Sequence, residues 1–382
     1  MTVSHLSLTG VLRAEEPLHI GSGRRTGVIK HCLPYVPGST LRGCAGTALL
    51  RLTCRLGQPL IDHSSCEYAE ECAYARLFES EESASSLFFR YAYPLHLRCG
   101  GVFRPAPKTL YRCENSQCGE VSDSLEPPDR CKCGGRVKPY IGYKCDRCGE
   151  LSSQPIQLTW FTSTALDRGV GAAASIAAGG QSAGTLHTIE AIQTGSRFFF
   201  EVILGSKLSG EVEALRSVLE KGLPDEGLGG SKSRGFGKVS LSDIRVEEVS
   251  VEDMEARAEE IDSACFSVQA LSPLILERPL DDRSLLEGAR RAYSWVYHEG
   301  KPQLPDLVHV ASRLALTRVG GWSQKEGRSR GVLQAVEVGS ITQFKCGESS
   351  EVLSRALATL EVYPLGEYKP HGCGQLRVQS PR

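Results

Sequence analysis

Near the start of the chain Leu6, Leu8 and Leu12 alternate with polar residues, the period-two pattern of a strand with one buried face. Leu41, Ala45, Ala48, Leu49 and Leu52 then recur at helical spacing, which predicts a helix from residue 40 to about 55. Ser39, just before it, has a side chain suited to capping it. Val212, Leu215, Val218 and Leu219 share one face of a second helix over 211–221, and Gly222 stops it. A comparable helix is predicted at 351–360. Similar stretches precede these last two helices. IEAIQTGSRFFF at 189–200 and VEVGSITQFKC at 336–346 each pair an apolar-Glu step with Gly-Ser and Phe. Glycine-containing loops follow both helices, GLGGSKSRGFG at 227–237 and LGEYKPHGCG at 365–374, and lead into the short strands KVSL and QLRV. Two β-α-loop-β units in one chain predict an α+β protein of two related ferredoxin-like domains.

That plan divides the chain into a first domain at 1–245 and a second at 263–382. Between them, residues 246–262 hold eight acids against one base, Arg257, and read as an exposed acidic linker or solvated helix. Residues 100–150 interrupt the first domain with cysteines and few apolar residues, as an inserted module would. With 41% hydrophobic and 23% charged residues, the 382-residue chain can build cores and is no disordered tail. Its 44 bases and 45 acids exclude a protein that coats nucleic acid by bulk charge. Outside the acidic stretch, however, 43 bases face 37 acids. No segment has the apolar length of a membrane span, and residues 1–20 contain no secretory core, so a cytoplasmic protein without a membrane partner is expected. Fifteen cysteines in that compartment point to thiols and metal ligands rather than disulfides.

The insert carries the most specific local signal. Cys113 and Cys118, Cys131 and Cys133, and Cys145 and Cys148 form three pairs, with glycine directly after Cys118, Cys133 and Cys148. Thiolates on tight, glycine-relieved turns chelate tetrahedral zinc, which makes the insert a zinc ribbon with a structural ion. Six ligands exceed one site. Either one pair is spare, or a second zinc recruits others such as Cys66, Cys72 or Cys99.

The loop at 227–237 fails as a nucleotide motif, because Lys232 follows a serine and the loop leads into a strand instead of a helix. It remains a turn with backbone amides and the cations Lys232 and Arg234, suited to phosphate. A second basic region supports it. From 17 to 61 there is no acid but six bases, Arg24, Arg25, Lys30, Arg42, Arg51 and Arg55, around HIGSG (19–23) and YVPGSTLRG (35–43). A helix beginning after Ser39 would put Arg42 in its first turn, where an anion is already favoured.

HIGSG, YVPGSTLRG, TALDRGVGAA at 164–173, the stretch 184–200 and SRGFGKV at 233–239 together resemble the RAMP superfamily of CRISPR effector subunits, over most of residues 1–245. LFFRYAYP at 87–94, PAPKTLYRC before the cysteine pairs, and VGGW with VEVGSITQF in the second domain are similar to the Csx-ten group of type III-D systems and to a related type VII subunit. The resemblance implies ferredoxin-like, RNA-recognition-type domains. It also implies a Cas-five-like subunit that binds guide RNA (crRNA), caps its 5′ end and contacts backbone RAMP and other effector subunits, with target RNA nearby. Carried over residue by residue, Arg24, Ser39, Arg42, Arg168, Lys232, Ser233, Arg234 and Phe236 would face RNA. Backbone subunits that cut target RNA use an aspartate shortly after the HIGSG-like turn, but 23–33 reads GRRTGVIKHCL without an acid, which argues against cleavage. The rival is a metal-independent endoribonuclease that processes guide precursors, with His31 or His371 as general acid or base.

Overall fold

The computed structural model describes residues 2–56, 66–164, 175–178, 181–184, 186–323 and 327–380. The first unit runs β1 (Val3–Ala14), α1 (Gly38–Thr53), β2 (Leu87–Phe89), β3 (Arg197–Gly205), a helical run containing α2 (Val212–Ser217), and β4 (Val239–Ser250). Its sheet order is β4-β1-β3-β2, with every neighbouring pair antiparallel. After α3 (Val251–Glu259) come β5 (Cys265–Ala270), α4 (Asp282–Tyr297), β6 (Leu307–Arg313), β7 (Ile341–Cys346), α5 (Glu351–Thr359) and β8 (Leu376–Gln379). Their order, β6-β7-β5-β8, is the same permutation read from the other edge, again antiparallel. The chain is a mixed α+β protein whose β-α-β-β-α-β connectivity is similar to ferredoxin-like folds. Among the described residues no helix is long and apolar enough to cross a membrane.

Alternation along the strands builds each core. Leu6, Leu8 and Leu12 of β1 and Phe198, Phe200, Val202 and Leu204 of β3 meet Leu41, Ala45, Ala48 and Leu49 of α1 in one buried cluster. A second cluster joins Phe266 and Val268 of β5, Phe344 of β7, and Leu353 and Leu357 of α5. The helix α1 begins two residues earlier than its pattern suggests, with Pro37 in the capping position and no side-chain cap from Ser39. Gly38 is what permits this start, since a Cβ there would lie 1.8 Å from the Phe89 carbonyl oxygen. The acidic stretch is no open linker. Its first residues extend β4 to Ser250, a capping box of Ser250 and Asp253 starts α3, and Met254 and Ala258 enter the second core. The helix α4, which the pattern reading does not single out, starts from a capping box of Asp281 and Ser284.

The internal echo extends to the backbone. Lys232–Arg234 and Lys369–His371 each form one 3-10 turn, bounded by a left-handed residue before (Ser231, φ 62°; Tyr368, φ 57°) and a glycine after (Gly235, φ 79°; Gly372, φ 84°). Leu228 N–H donates to Gly237 O and Gly237 N–H to Pro17 O; Leu365 N–H donates to Gly374 O and Gly374 N–H to Pro273 O. Each loop is thus tied to the segment following the first strand of its own unit.

Between the units lies the face of the first sheet that its helices leave uncovered. His5 and Ser7 of β1 are buried there, and Phe88 of β2 meets Trp295 and Tyr363 at ring-centroid distances of 5.7 and 5.5 Å. Burial, then the positive Arg90, pull the His5 pKa down from 6.5 to about 4, against weaker upward pulls from Glu201 and Asp253. A folded-state pKa below the unfolded value means that the unfolded chain protonates first as the pH falls. Stability therefore drops from about pH 6.5 toward pH 4, by on the order of 3 kcal/mol for this group. Chemical denaturation at pH 7.5 and pH 4.5 should show a smaller loss in His5→Gln than in the parent protein; an equal loss would place the acid sensitivity elsewhere.

Candidate nucleic-acid interface and metal centres

Where the units meet on the other side, a groove of about 2260 Å³ opens. One wall belongs to the first unit: the strand pair Gly21–Thr26 and Ile29–Cys32, the start of α1, and the glycine loop at Gly229, Gly230 and Lys232. The opposite wall is the hairpin Leu316–Ser323 with Arg328–Val336, joined by Tyr368 and His371. Eight arginine or lysine residues line it against four glutamates, among the described residues. Several of those bases are already neutralised. Glu226 pairs with Arg51 at 2.6 Å and Lys232 at 2.8 Å, and Arg76 pairs with Glu211. Arg24, Arg25, Arg318 and Arg330 show no carboxylate partner among the described residues and form the unneutralised lining.

Arg42 is different. Its side chain is only 8% exposed, its guanidinium sits 4.8 Å from the Phe78 ring centroid, and Nη2 donates to the Phe78 carbonyl at 3.0 Å. Burial lowers its pKa to about 10, so it stays cationic as a structural group set into the groove lining. Arg330 Nη1 donates to His371 Nε2 at 3.1 Å. Burial, then the charges of Arg330 and Arg42, pull the His371 pKa down to about 3, so its ring is neutral near pH 7. His31 is engaged on both ring nitrogens, 3.4 Å from Glu190 Oε2 and 2.9 Å from Thr26 Oγ1. Glu190, from the strand Leu186–Ile192, thus brings an acid to a segment that has none in sequence.

The insert gathers two four-ligand sets, each with all ligand atoms within 4.8 Å of one another. One is Cys113, Cys118, Cys131 and Cys133. The other joins Cys145 and Cys148 to Cys99 and His96. Measured ligand separations run from 3.2 Å (Cys99 to His96) and 3.5 Å (Cys99 to Cys145) to 3.7 Å (Cys118 to Cys131). A tetrahedron with 2.3 Å metal–sulfur bonds has edges of about 3.7 Å, so both sets fit a four-coordinate ion. The excess of ligands over one site is divided between two sets, each of which could hold one ion. Cys99 is a recruit, Cys66 and Cys72 are in neither set, and His96 is the ligand that cysteine spacing did not reveal.

Sequence comparison identifies the family. The RAMP superfamily profile matches residues 11–240, well over half of the chain. The chain belongs to the RAMP superfamily. A 73-residue segment is 41% identical to the CRISPR system Cms endoribonuclease Csm3 of Methanothermobacter thermautotrophicus, covering 19% of this chain and 29% of that protein. A 65-residue segment is 37% identical to the protein of the same name from Methanocaldococcus jannaschii, covering 16% and 26%. The chain therefore spans less than a third of the length of these curated relatives. Among solved structures it is similar to a Cas6 product complex (TM-score 0.43, 12% identity, 98% of this chain and 100% of that one). It is also similar to a type III-B Cmr-beta complex bound to cognate target RNA (TM-score 0.41, 11% identity, 88% and 86%).

In this RAMP protein the eight sequence-predicted RNA residues do not share one place. Arg24, Ser39, Arg42 and Lys232 line the groove, with Ser39 exposed in the first turn of α1. Ser233 and Arg234 are exposed on the same loop but outside the groove lining, and Phe236 packs edge-on against Phe161 at 5.0 Å. Arg168 lies outside the described residues. The groove also recruits Arg318 and Arg330, which no motif marked, although Arg318 directly precedes VGGW. Trp160, 58% exposed on the strand Leu158–Thr164, is directly opposite Glu190 and so projects from the same sheet face as that groove residue.

Elemental analysis of the purified RAMP protein should find two tightly bound divalent ions per chain. Cys113→Ser with Cys118→Ser, and separately His96→Ala with Cys148→Ser, should each remove one. A single ion that survives either change would refute the two-site partition.

Proposed function

We propose that this chain is a guide-RNA (crRNA) binding subunit of a CRISPR effector ribonucleoprotein, of the Csx-ten, Cas-five-like kind. It caps the 5′ end of the guide, contacts backbone RAMP and other effector subunits, and lies near target RNA. The observation that carries the reading is the groove: both units contribute to one channel arginines that have no carboxylate partner among the described residues. RNA-recognition domains commonly stack bases on the open face of a four-stranded sheet. Here that face is buried between the units, which leaves the groove as the accessible basic surface. Superfamily membership and the naming of both relatives as CRISPR proteins support the same reading. On this proposal two ferredoxin-like domains meet at 246–262, and structural zinc fills both ligand sets, as thiolate-rich tetrahedral sites favour.

The chain acts by binding, without a catalytic residue of its own. The relatives are named endoribonucleases, yet the segment after the HIGSG turn has no acid here. The histidine-nuclease reading is weaker. The His371 Nε2 lone pair is occupied by an arginine N–H, and a group with pKa about 3 is a poor general base at neutral pH.

Each phosphate contact releases counterions, so losing one weakens binding and flattens its salt dependence. Arg24→Ala with Arg318→Ala, one from each wall, should weaken guide binding and reduce the salt slope by about two units. Glu255→Gln with Glu259→Gln should change neither. Filter binding across a salt series reads both, and unchanged affinity in the arginine pair would rule out the groove. Incubation with guide precursor and target RNA in Mg²⁺ should leave both intact; cleavage abolished by a point change in this chain would overturn the binder reading.

A further inference from the structure

The two ligand sets occupy very different positions. The four-cysteine set lies in the outer part of the insert, on the sheet of Leu110–Cys113, Val121–Asp123 and Val137–Pro139. The His96 set is at the root of the insert. Two of its ligands, His96 and Cys99, precede the insert's first strand, Phe103–Pro105; of the other two, Cys145 ends its returning strand, Tyr143–Cys145, and Cys148 follows it. An ion there ties together the outgoing and returning chains.

The segment between the two pairs reaches directly into the junction of the units. Asp146, inside the Cys145–Cys148 turn, accepts from Val102 N–H at 2.8 Å and lies 3.5 Å from Arg104 Nε. Arg104 lies over the rings of Tyr93 and Phe199 and shares the field of the part-buried Glu201 with Arg90. Arg90 pairs with Glu201 at 3.0 Å and donates to the Glu361 carbonyl of the second unit. The chain after Arg104 lies on the second unit itself. Pro105 O accepts from Gln269 Nε2 at 2.8 Å, Lys108 N–H donates to Gly339 O at 2.8 Å, and Lys108 Nζ pairs with Glu337 at 2.8 Å. The contact is close enough that a Cβ on Gly339 would approach the Ala106 carbonyl oxygen to 2.4 Å. Tyr143 and Glu337, at the two ends of this contact, both line the groove.

We propose that His96, Cys99, Cys145 and Cys148 hold a divalent ion that acts as a bracket between the two units. It sets the groove through Asp146, Arg104 and the 103–108 segment, while the four-cysteine centre stabilises the outer lobe, which meets the second unit away from the groove through the Arg313 Nε bond to the Leu125 carbonyl. The bracket rests on contacts within this chain; its consequence for RNA rests on the groove reading above. Asp146 and Arg104 are positioning residues, acting on RNA only through the spacing of the walls.

Three variants of the zinc-loaded full chain test this: Cys145→Ser with Cys148→Ser, Cys113→Ser with Cys118→Ser, and Asp146→Asn, which keeps every ligand. Metal content, exchange of the Lys108 amide and affinity for single-stranded guide RNA are measured on each. The first variant should lose one ion, exchange the Lys108 amide at least about tenfold faster and bind RNA about tenfold more weakly. The second should lose one ion and leave exchange and affinity unchanged. Asp146→Asn should keep both ions and still show faster exchange. Unchanged exchange in Asp146→Asn, equal effects in the two cysteine variants, or no ion at the His96 centre would overturn the bracket whatever RNA does. Faster exchange with undiminished RNA affinity would leave the bracket standing and overturn the groove reading.

Discussion

Glu201 is the group on which the arrangement of this protein depends. Its carboxylate sits on the face of the first sheet turned away from the helices, hydrogen-bonded by Ser7 and paired with Arg90. Burial alone would push its pKa up, but Arg90 and Arg104 outweigh that and hold it below the ordinary value. A carboxylate so largely enclosed, its side chain 19% exposed, is tolerable only while its cations stay in place. The two arginines come from different places. Arg90 follows β2 and reaches the second unit's backbone, and Arg104 comes from the insert. One part-buried charge therefore draws first sheet, second unit and insert together, and their meeting covers the sheet face and leaves the groove as an open basic surface.

The two glycine loops show how one backbone device has been put to two uses. Both need left-handed residues on either side of a 3-10 turn, and both are tied to the segment after the first strand of their unit by equivalent hydrogen bonds. In the first unit the turn stays at the surface, with Ser233 and Arg234 exposed and Lys232 at the groove. In the second unit the turn is pressed onto the start of α1, where a Cβ on Gly372 would meet the Phe89 carbonyl oxygen at 2.3 Å. Gly38 and Gly372 thus meet backbone to backbone, which explains both why α1 starts with glycine and why His371 is held at the groove wall beside that start.

The periodic features were legible in the sequence because strand alternation and helix spacing are local. The α1 face, the helix at 351 and the paired loops could all be read from residue order. What could not be read were facts of tertiary neighbourhood. Arg42 has the spacing of a first-turn phosphate ligand, but Phe78 and Phe89 enclose it, and neither is near it in sequence. The acid-free stretch 17–61 meets Glu190, and the loop cation Lys232 meets Glu226. Cysteine pairs pointed to metal ligands, yet their grouping into two four-ligand sets needed His96 and Cys99 to be brought 46 or more residues along the chain to Cys145. The acidic run read as linker because charge dominates its composition, although Met254 and Ala258, four residues apart, are enough to anchor a short helix.

A net charge near zero is compatible with binding a polyanion because the charges are segregated. The acids of the 246–262 run are partly spent inside the second unit, where Arg355 bridges Glu255 and Glu351 and the Arg257 guanidinium joins Glu260 and Glu361. None of that run lines the groove, whose unneutralised members, Arg24, Arg25, Arg318 and Arg330, are divided between the two walls. Neither unit alone presents the full set, so the attraction for a phosphate backbone depends on the spacing of the walls. At the junction, short-ranged and directional polar contacts such as Gln269 to Pro105 and Lys108 to Glu337 act on that spacing alongside the apolar packing of Phe88 against Trp295 and Tyr363. A groove assembled in this way loses its electrostatic character through small relative movements of its walls, even when every arginine is retained.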